Sequence, residues 1–243
     1  MFFNVFKIII FFVFFINSRS SLSNEANMDK KNFEKQIEKF ILENPEVLLK
    51  SIDNYRKKAE LRSKKDIELK LTKLYESQEF QKLPFVGKYD SDLILVEFID
   101  YNCGYCKKTI KTINKLVKNM DKLKVVFVDF PILSESSIIA AKASLAASEQ
   151  NSYFKYHSKL LEHIGPINDD FLLSLAKELK LDLKKFKQDM ELEEIEERLR
   201  KNIKIASSLN IRGTPTFIFK DDILAGAYEY EQLEILINQK PDL

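Results

Sequence analysis

The sequence predicts an α/β domain that carries a helical insertion and is preceded by a helical amino-terminal arm. Two near-continuous apolar runs, residues 93–99 and 123–130, are typical of strands buried on both faces. A helical apolar period at residues 107–117 lies between them and completes a β-α-β unit, which we expect to be parallel and right-handed. Residues 135–208 then show helical patterns only, which indicates the insertion.

Composition supports a globular protein and excludes several functions. The chain has 243 residues, of which 45% are hydrophobic and 31% charged, so a buried core can form. Its formal net charge is +2, which falls to zero if Lys7 and Arg19 are removed with an amino-terminal signal. This balance gives no electrostatic basis for binding nucleic acid. Two cysteines exclude a Cys₄ zinc site and a framework of several disulfides.

Residues 1–23 have the pattern of a signal peptide. Lys7 supplies a basic start, residues 8–16 are an unbroken apolar run, and a serine-rich stretch offers cleavage after Ser20 or Ser23. An uncleaved membrane anchor is the alternative, but a bilayer span needs about 20 apolar residues. The segment has no cysteine, which excludes a lipoprotein anchor. We therefore expect a protein outside the cytosol, where disulfides persist.

Residues 24–82 are predicted to form the helical arm. Apolar residues recur with helical spacing between Phe33 and Tyr55, and Asn44-Pro45 is a helix-start signal within that stretch. Residues 56–66 are nearly all polar, so a helix there cannot be packed in a core. Two interpretations stay open: an arm folded back onto its own domain, or an oligomerisation stalk joined by a bendable helical linker.

The main domain is predicted to occupy residues 83–243, beginning with a loop at 83–87. After the insertion, two short strands at 216–219 and 223–227 read as a hairpin around Asp221-Asp222. A final helix is expected at residues 229–238. The predicted order is therefore β-α-β, helical insertion, β-β-α.

Both cysteines lie in one C-x-x-C motif, Cys103-Gly104-Tyr105-Cys106, at the predicted strand-to-helix junction. Zinc would need further ligands, and a disulfide closing so short a loop constrains little of the unfolded chain. A redox dithiol suits the position best. Cys103 would face unpaired N–H groups and the positive end of the helix dipole, which lower a thiol pKa and favour a nucleophile. Cys106, one turn into the helix, would act as the resolving thiol.

Glu97 interrupts an otherwise apolar strand, six residues before Cys103. Burying a carboxylate costs several kcal/mol unless it is paired or neutral. With a raised pKa, Glu97 could accept and return the proton of Cys106 through a water molecule. Alternatively, Lys124 on the next strand could satisfy its charge, and the two interpretations can both hold.

The stretch Gly213-Thr214-Pro215 precedes a predicted strand. On sequence alone the Thr214–Pro215 bond is expected to be trans, because only about 5–6% of X-Pro bonds are cis. Arg212 is a less specific candidate for the same surface.

These features together resemble the DsbA-like thiol:disulfide oxidoreductases, over roughly residues 85–240. The resemblance is carried by the stretch from Glu97 to Lys107, the helical insertion and Gly213-Thr214-Pro215. It implies a thioredoxin-like fold in which Pro215 is cis, faces the C-x-x-C motif and binds the substrate backbone. It also implies that Cys103 is the nucleophile and that Glu97 tunes the cysteine pair.

Two positions differ from the oxidase DsbA. Thr214 stands where that oxidase typically has valine and the isomerase DsbC has threonine, and Gly104-Tyr105 replaces Pro-His. Because that histidine helps to stabilise the DsbA thiolate, a less oxidising protein is expected. The stretch from Ile41 to Leu48 resembles the amino-terminal region of ScsC-like proteins of proteobacteria, some of which trimerise and act as isomerases.

The sequence therefore predicts a periplasmic thiol:disulfide oxidoreductase with an isomerase tendency and no cofactor or metal. Expected partners are cysteine-containing secreted proteins, a membrane redox protein and further copies of the chain, with a trimer favoured. One alternative is a monomeric DsbA-like oxidase. The other is a scaffold that binds Cu(I) through the two thiolates, which are soft ligands.

Overall fold

The computed structural model describes residues 30–239, so the predicted signal peptide lies outside the described residues. Within this range the chain divides into two units at Lys64/Lys65. The boundary falls inside a helix and earlier than the predicted boundary at residue 83. The reason is that Leu71 and Phe80, which precede residue 83, are 2% and 3% exposed within the core of the second unit.

The first unit, residues 30–64, is helical and exposed. Helix α1 covers residues 30–43, and α2 (Pro45–Tyr75) begins at the predicted proline and continues unbroken through the polar stretch 56–66. None of residues 30–64 is buried. Eleven large apolar side chains of this unit are 36–73% exposed: Phe33, Ile37, Phe40, Ile41, Leu42, Val47, Leu48, Leu49, Ile52, Tyr55 and Leu61. We call this set the arm's apolar patch.

The second unit is built on a five-stranded sheet of order β1-β3-β2-β4-β5. The strands are β1 (Phe85–Gly87), β2 (Leu93–Ile99), β3 (Leu123–Asp129), β4 (Thr216–Phe219) and β5 (Asp222–Ala225). The central pair β2 and β3 is parallel, as predicted, and the other pairs are antiparallel. β2 and β3 are apolar along most of their length because both faces of the sheet are covered.

Helices cover the two faces. They are α3 (Gln78–Gln81), α4 (Gly104–Asn119), α5 (Glu135–Ser148), α6 (Tyr153–Glu162), α7 (Asp169–Glu178), α8 (Leu183–Met190), α9 (Glu193–Ser208) and α10 (Tyr230–Gln239). The larger core joins the face of Leu95 and Ile99 to α4, α10 and the insertion α5 to α8. The smaller core joins the face of Val96 and Phe98 to Leu71, Phe80 and the end of α9.

Three local predictions need correction. Residues 83–87 are not a loop throughout, because β1 pairs with β3 as an edge strand. α4 begins at Gly104 rather than at residue 107, with Cys103 as its N-cap, since a cysteine gives no capping signal in a sequence. The hairpin turn is Lys220-Asp221 rather than Asp221-Asp222, with Lys220 at φ 54°. Within residues 30–239, no helix combines the length and hydropathy that crossing a membrane requires.

Candidate active site

Cys103 and Cys106 lie at the junction between β2 and α4, at one end of the two central strands. The cysteines are not bonded to each other. Cys103 is 7% exposed and caps α4, whereas Cys106 is fully buried inside its first turn. The geometry therefore presents one sulfur toward the surface and encloses the other.

The pKa of Cys103 is lowered from 9.0 to about 5. The largest cause is a hydrogen bond from the Cys106 thiol, opposed by burial. Main-chain N–H groups of Cys106 and Tyr105, together with the Thr214 side chain, lower the pKa further. These amides belong to the first turn of α4, whose N–H groups have no partner inside the helix. Cys103 is thus a thiolate at neutral pH.

Burial raises the pKa of Cys106 far above its ordinary value, and its bond to the Cys103 sulfur and the nearby Glu97 raise it further. The Cys106 proton therefore stays in place while it supports the neighbouring thiolate. A thiol of this kind must give up its proton before it can attack a mixed disulfide.

Glu97 lies in the middle of β2, opposite Phe127 on one neighbouring strand and Phe217 on the other. It is 1% exposed, and burial raises its pKa to about 8 in spite of the hydrogen bond from Thr109. Its Oε1 accepts that bond at 2.8 Å, whereas Oε2 has no partner in the structure. Thr109 is on α4, one turn beyond Cys106, so the carboxyl group lies beneath the cysteine pair.

Lys124 does not satisfy Glu97, which corrects one of the two interpretations of this carboxyl group. The lysine is in register with Ile94, and its Nζ lies 4.6 Å from the ring centroid of Phe85. Because residues 83–87 were predicted to be a loop, no sequence pattern pointed to this aromatic partner.

The Thr214–Pro215 bond is cis, as the resemblance implies. The Cys103 Sγ lies 3.2 Å from the Thr214 carbonyl oxygen, to which it donates only as a protonated thiol, so the turn before β4 lies against the nucleophile. Pro215 is buried, and its carbonyl oxygen accepts from the Gly226 amide at 2.9 Å. Arg212 is exposed and bonds the Asn210 side chain, so no contact ties it to the cysteines.

The two residues between the cysteines leave space above the site. A Cβ at Gly104 would meet nothing within 4 Å. Tyr105 is 62% exposed, and its ring is 5.2 Å from Lys108 Nζ. Gly104 therefore adds no side chain beside the nucleophile, and Tyr105 is largely exposed to solvent.

Sequence reasoning missed a buried polar cluster next to the site. Asp129 Oδ1 accepts hydrogen bonds from Tyr101 (2.9 Å) and Tyr153 (3.0 Å), and Tyr101 also bonds His157 Nδ1 at 3.0 Å. Burial raises the pKa of Asp129 to about 7 and lowers that of His157 to about 3. The hydrogen-bonded pairs that include a residue of an insertion helix are separated by 24 to 56 positions in the sequence. No local sequence pattern could therefore reveal them. Asp100, also buried, was missed as well.

Comparison with known proteins shows the family to which the chain belongs. Residues 79–239 match the family model described as Thioredoxin. The chain belongs to the thioredoxin family, and it is a thiol:disulfide oxidoreductase of the DsbA and ScsC type. This family match favours an enzyme of disulfide exchange over the scaffold that binds Cu(I).

Solved structures of three bacterial proteins are similar to the chain. A thioredoxin-like oxidoreductase of Silicibacter pomeroyi is 32% identical, with a TM-score of 0.64, covering 68% of this chain and 94% of its own. The thiol-disulfide exchange protein α-DsbA2 of Wolbachia pipientis is 28% identical, with a TM-score of 0.66, covering 73% and 95%. Proteus mirabilis ScsC in a transitional conformation is 25% identical, with a TM-score of 0.63, covering 87% and 96%.

Curated relatives match over shorter shares of their length. A Na⁺/H⁺ antiporter NhaA 1 of Salinispora arenicola is 26% identical over 153 residues, which are 62% of this chain but 24% of the antiporter. A probable disulfide bond formation protein D of Bacillus anthracis is 28% identical over 144 residues, 54% of this chain and 66% of that protein. The match to the antiporter therefore concerns only a segment of it.

Proposed function

We propose that the protein exchanges disulfides in cysteine-containing secreted proteins of the periplasm and that it works chiefly as an isomerase. The observation that carries the chemistry is the contrast between a Cys103 thiolate that keeps 7% exposure and a fully buried, protonated Cys106. The thiolate attacks one sulfur of a substrate disulfide. That S–S bond breaks, a mixed disulfide forms, and the other substrate sulfur leaves as a thiolate.

Two continuations conserve atoms and electrons. In isomerisation, a different substrate thiolate attacks the mixed disulfide, a new substrate disulfide forms, and Cys103 returns as a thiolate. In reduction, Glu97 in its ionised form accepts the Cys106 proton through a water molecule, and the Cys106 sulfur displaces the substrate thiolate and closes the Cys103–Cys106 disulfide. The strongly raised pKa of Cys106 slows the reduction and so leaves time for isomerisation.

Thr214 and Pro215 are proposed to align the substrate chain. Their turn lies 3.2 Å from the nucleophilic sulfur, through the Thr214 carbonyl oxygen. A substrate strand paired with this turn would bring its disulfide in line with Cys103. Oxidised Cys103–Cys106 or the reduced pair would then be regenerated by a membrane redox partner.

The arm is proposed to assemble the protein into a homo-oligomer, with a trimer favoured. Its apolar patch of eleven side chains is exposed on the single chain, and exposed apolar surface of this extent marks an interaction site. The likeness to Proteus mirabilis ScsC covers 87% of this chain and so extends into the helical arm. Several thiolates in one assembly raise the effective thiol concentration around a bound substrate.

The test combines light scattering of the mature chain with refolding of a scrambled-disulfide substrate. We expect an oligomer at micromolar concentration and recovery of native substrate without added oxidant. A monomer that fails to repair the scrambled substrate but oxidises a reduced one would leave the monomeric oxidase as the function. The scrambled substrate incubated with the Cys103→Ala variant is the control for spontaneous reshuffling.

A further inference from the structure

Asp100 is a buried acid that the mechanism above does not use. It follows directly after β2, three residues before Cys103, and is 1% exposed. Its Oδ1 accepts from the Asn102 amide at 2.8 Å and from the Ser137 hydroxyl at 2.7 Å. Its Oδ2 accepts from the Ile132 and Leu133 amides at 2.8 and 3.0 Å. Four donors aimed at two oxygens form the pattern of a carboxylate that acts only as an acceptor.

The donors come from two separate parts of the chain. The Asn102 amide belongs to the active-site turn itself, whereas Ile132, Leu133 and Ser137 lie 32 to 37 residues away, at the start of the insertion. Within residues 30–239 no lysine or arginine forms an ion pair with this carboxylate. The side chain is therefore held by neutral dipoles, and it ties the active-site turn to the start of α5.

The main chain of Asp100 touches both cysteines. Its carbonyl oxygen accepts from the Cys103 amide at 3.0 Å, which closes the turn before α4. A hydrogen bond from its main chain also lowers the pKa of the Cys106 thiol. A displacement of Asp100 would thus move the N-cap residue of α4 relative to the amides that stabilise the thiolate.

We propose that Asp100 is a positioning residue, whose carboxylate anchors the active-site turn to the insertion and so keeps the Cys103 sulfur against the amides that begin α4. Without the carboxylate, three main-chain amides and the buried Ser137 hydroxyl lose their acceptor, and such groups destabilise the local fold unless it rearranges. The rearrangement available is a shift of residues 100–103 away from residues 132–137. The proposal rests on the role proposed for Cys103 as nucleophile, and it does not depend on the arm or on the isomerase direction.

The positioning role of Asp100 and its negative charge predict opposite changes in the pKa of the Cys103 thiol when the residue is substituted. A substitution can therefore distinguish the two. A negative charge near Cys103 disfavours its thiolate, so loss of charge alone would lower the pKa of that thiol. Loss of positioning would raise it, because the amides of α4 would no longer point at the sulfur. The Asp100→Asn variant keeps the size of the side chain and removes both the charge and one acceptor oxygen.

The experiment measures alkylation of Cys103 by iodoacetamide in the reduced full-length mature protein, with the modified cysteine assigned by mass spectrometry. For Asp100→Asn we expect about a tenfold slower reaction at pH 4, which corresponds to about one pKa unit. At pH 8, where the sulfur is ionised in both proteins, the rates should agree within about threefold. A faster reaction at pH 4, or an unchanged rate with a lower melting temperature, would overturn the proposal.

Two further variants make the result specific. Ser137→Ala removes one donor and leaves the three amide donors, so a smaller slowing in the same direction is expected, about two- to threefold at pH 4. It also supplies the answer if Asp100→Asn does not fold, since an unchanged rate for Ser137→Ala then counts against the proposal. Asp189→Asn is the matched control, because Asp189 is a 5% exposed acid paired with Lys185 on α8. It should lower stability without changing alkylation. If wild-type Cys103 itself shows no thiolate at pH 6, the proposed nucleophile fails instead.

Discussion

The two units of the chain break the usual distribution of side chains in opposite ways. Residues 30–64 expose eleven large apolar side chains, whereas residues 65–239 bury several carboxyl groups, among them Glu97, Asp100 and Asp129. Soluble proteins normally do neither without a cause, since exposed apolar patches invite association and buried acids need partners or a proton. The comparison favours association as the role of residues 30–64, and proton and thiol chemistry as the role of residues 65–239, which we call the catalytic unit.

The largest effect is expected in the catalytic unit, from removal of one sulfur or the other. Cys103→Ala should reduce disulfide exchange to the uncatalysed rate, because the nucleophilic thiolate is lost. Cys106→Ala should accumulate mixed disulfides with substrates, because the resolving thiol is lost while a Cys103 nucleophile remains. Non-reducing electrophoresis with mass spectrometry measures both. Equal trapping through Cys106 in the Cys103→Ala variant would reverse the assignment of the two thiols.

The second effect separates the units from each other. Deletion of residues 24–64 leaves Leu71 and Phe80 in the core of residues 65–239, so the catalytic unit should stay folded. It should become monomeric, keep its reduction of a small disulfide and lose most repair of a scrambled substrate. Light scattering and the two activity assays measure this outcome.

A point substitution tests the same idea with the chain length unchanged. Phe40→Asp places a charge in the arm's apolar patch, where Phe40 is 53% exposed, and should weaken the oligomer. Lys58→Asp changes the polar stretch of α2 and is the matched control, for which assembly should be unchanged. Oligomers of equal stability in the two variants would show that the patch does not hold the assembly together.

The third effect concerns the acid beneath the cysteines. Burial raises the pKa of Glu97 from 4.5 to about 8, so the folded protein keeps this proton to a higher pH than the unfolded chain does. The stability that Glu97 contributes is therefore present below pH 4.5 and is lost as the pH rises through about 8. Glu97→Gln does not titrate, so its stability relative to wild type should increase between pH 5 and pH 9 by a few kcal/mol. Urea unfolding at the two pH values measures the difference.

The control for this change is Glu191→Gln, which alters a glutamate on the surface. Its stability relative to wild type should be the same at pH 5 and at pH 9. If Glu97→Gln gave the same flat profile, Glu97 would not be a carboxyl group that holds its proton at neutral pH.

The elements of the catalytic unit could be predicted from local patterns, and its polar contacts could not. Apolar periodicity located β2, β3 and the insertion helices because the apolar residues that each element buries lie close together in the sequence. β1 has only three residues, and its pairing with β3 rather than its composition makes it a strand. The C-x-x-C motif was visible from its spacing, and Glu97 was visible because it interrupts an apolar strand.

The partners of those site residues lie too far along the chain for a pattern to show them. Thr109 is 12 positions from Glu97, and the donors that hold Asp100 are 32 to 37 positions away from it. Asp129 is the last residue of β3, and no neighbouring residue in the sequence marked it as buried. Tertiary packing alone brings such groups together, which is why Lys124 was a reasonable but incorrect partner for Glu97.

The smallest effect separates the individual contacts that tune Cys103. The Thr214 side chain lowers the pKa of Cys103, but it contributes less than the Cys106 thiol and the amide of Cys106. Thr214→Val keeps the shape of the side chain and the carbonyl oxygen that contacts the sulfur, and removes only the hydroxyl. The pKa should rise by about half a unit, which is roughly a threefold loss of thiolate near pH 4.5. Absorbance of the thiolate at low pH measures the change.

Thr216→Val is the control, because that hydroxyl donates to the Gly213 carbonyl oxygen at 2.8 Å and not to the sulfur. It should leave the thiolate unchanged, and an equal shift in both variants would mean that the turn moved as a whole rather than that one hydrogen bond was lost.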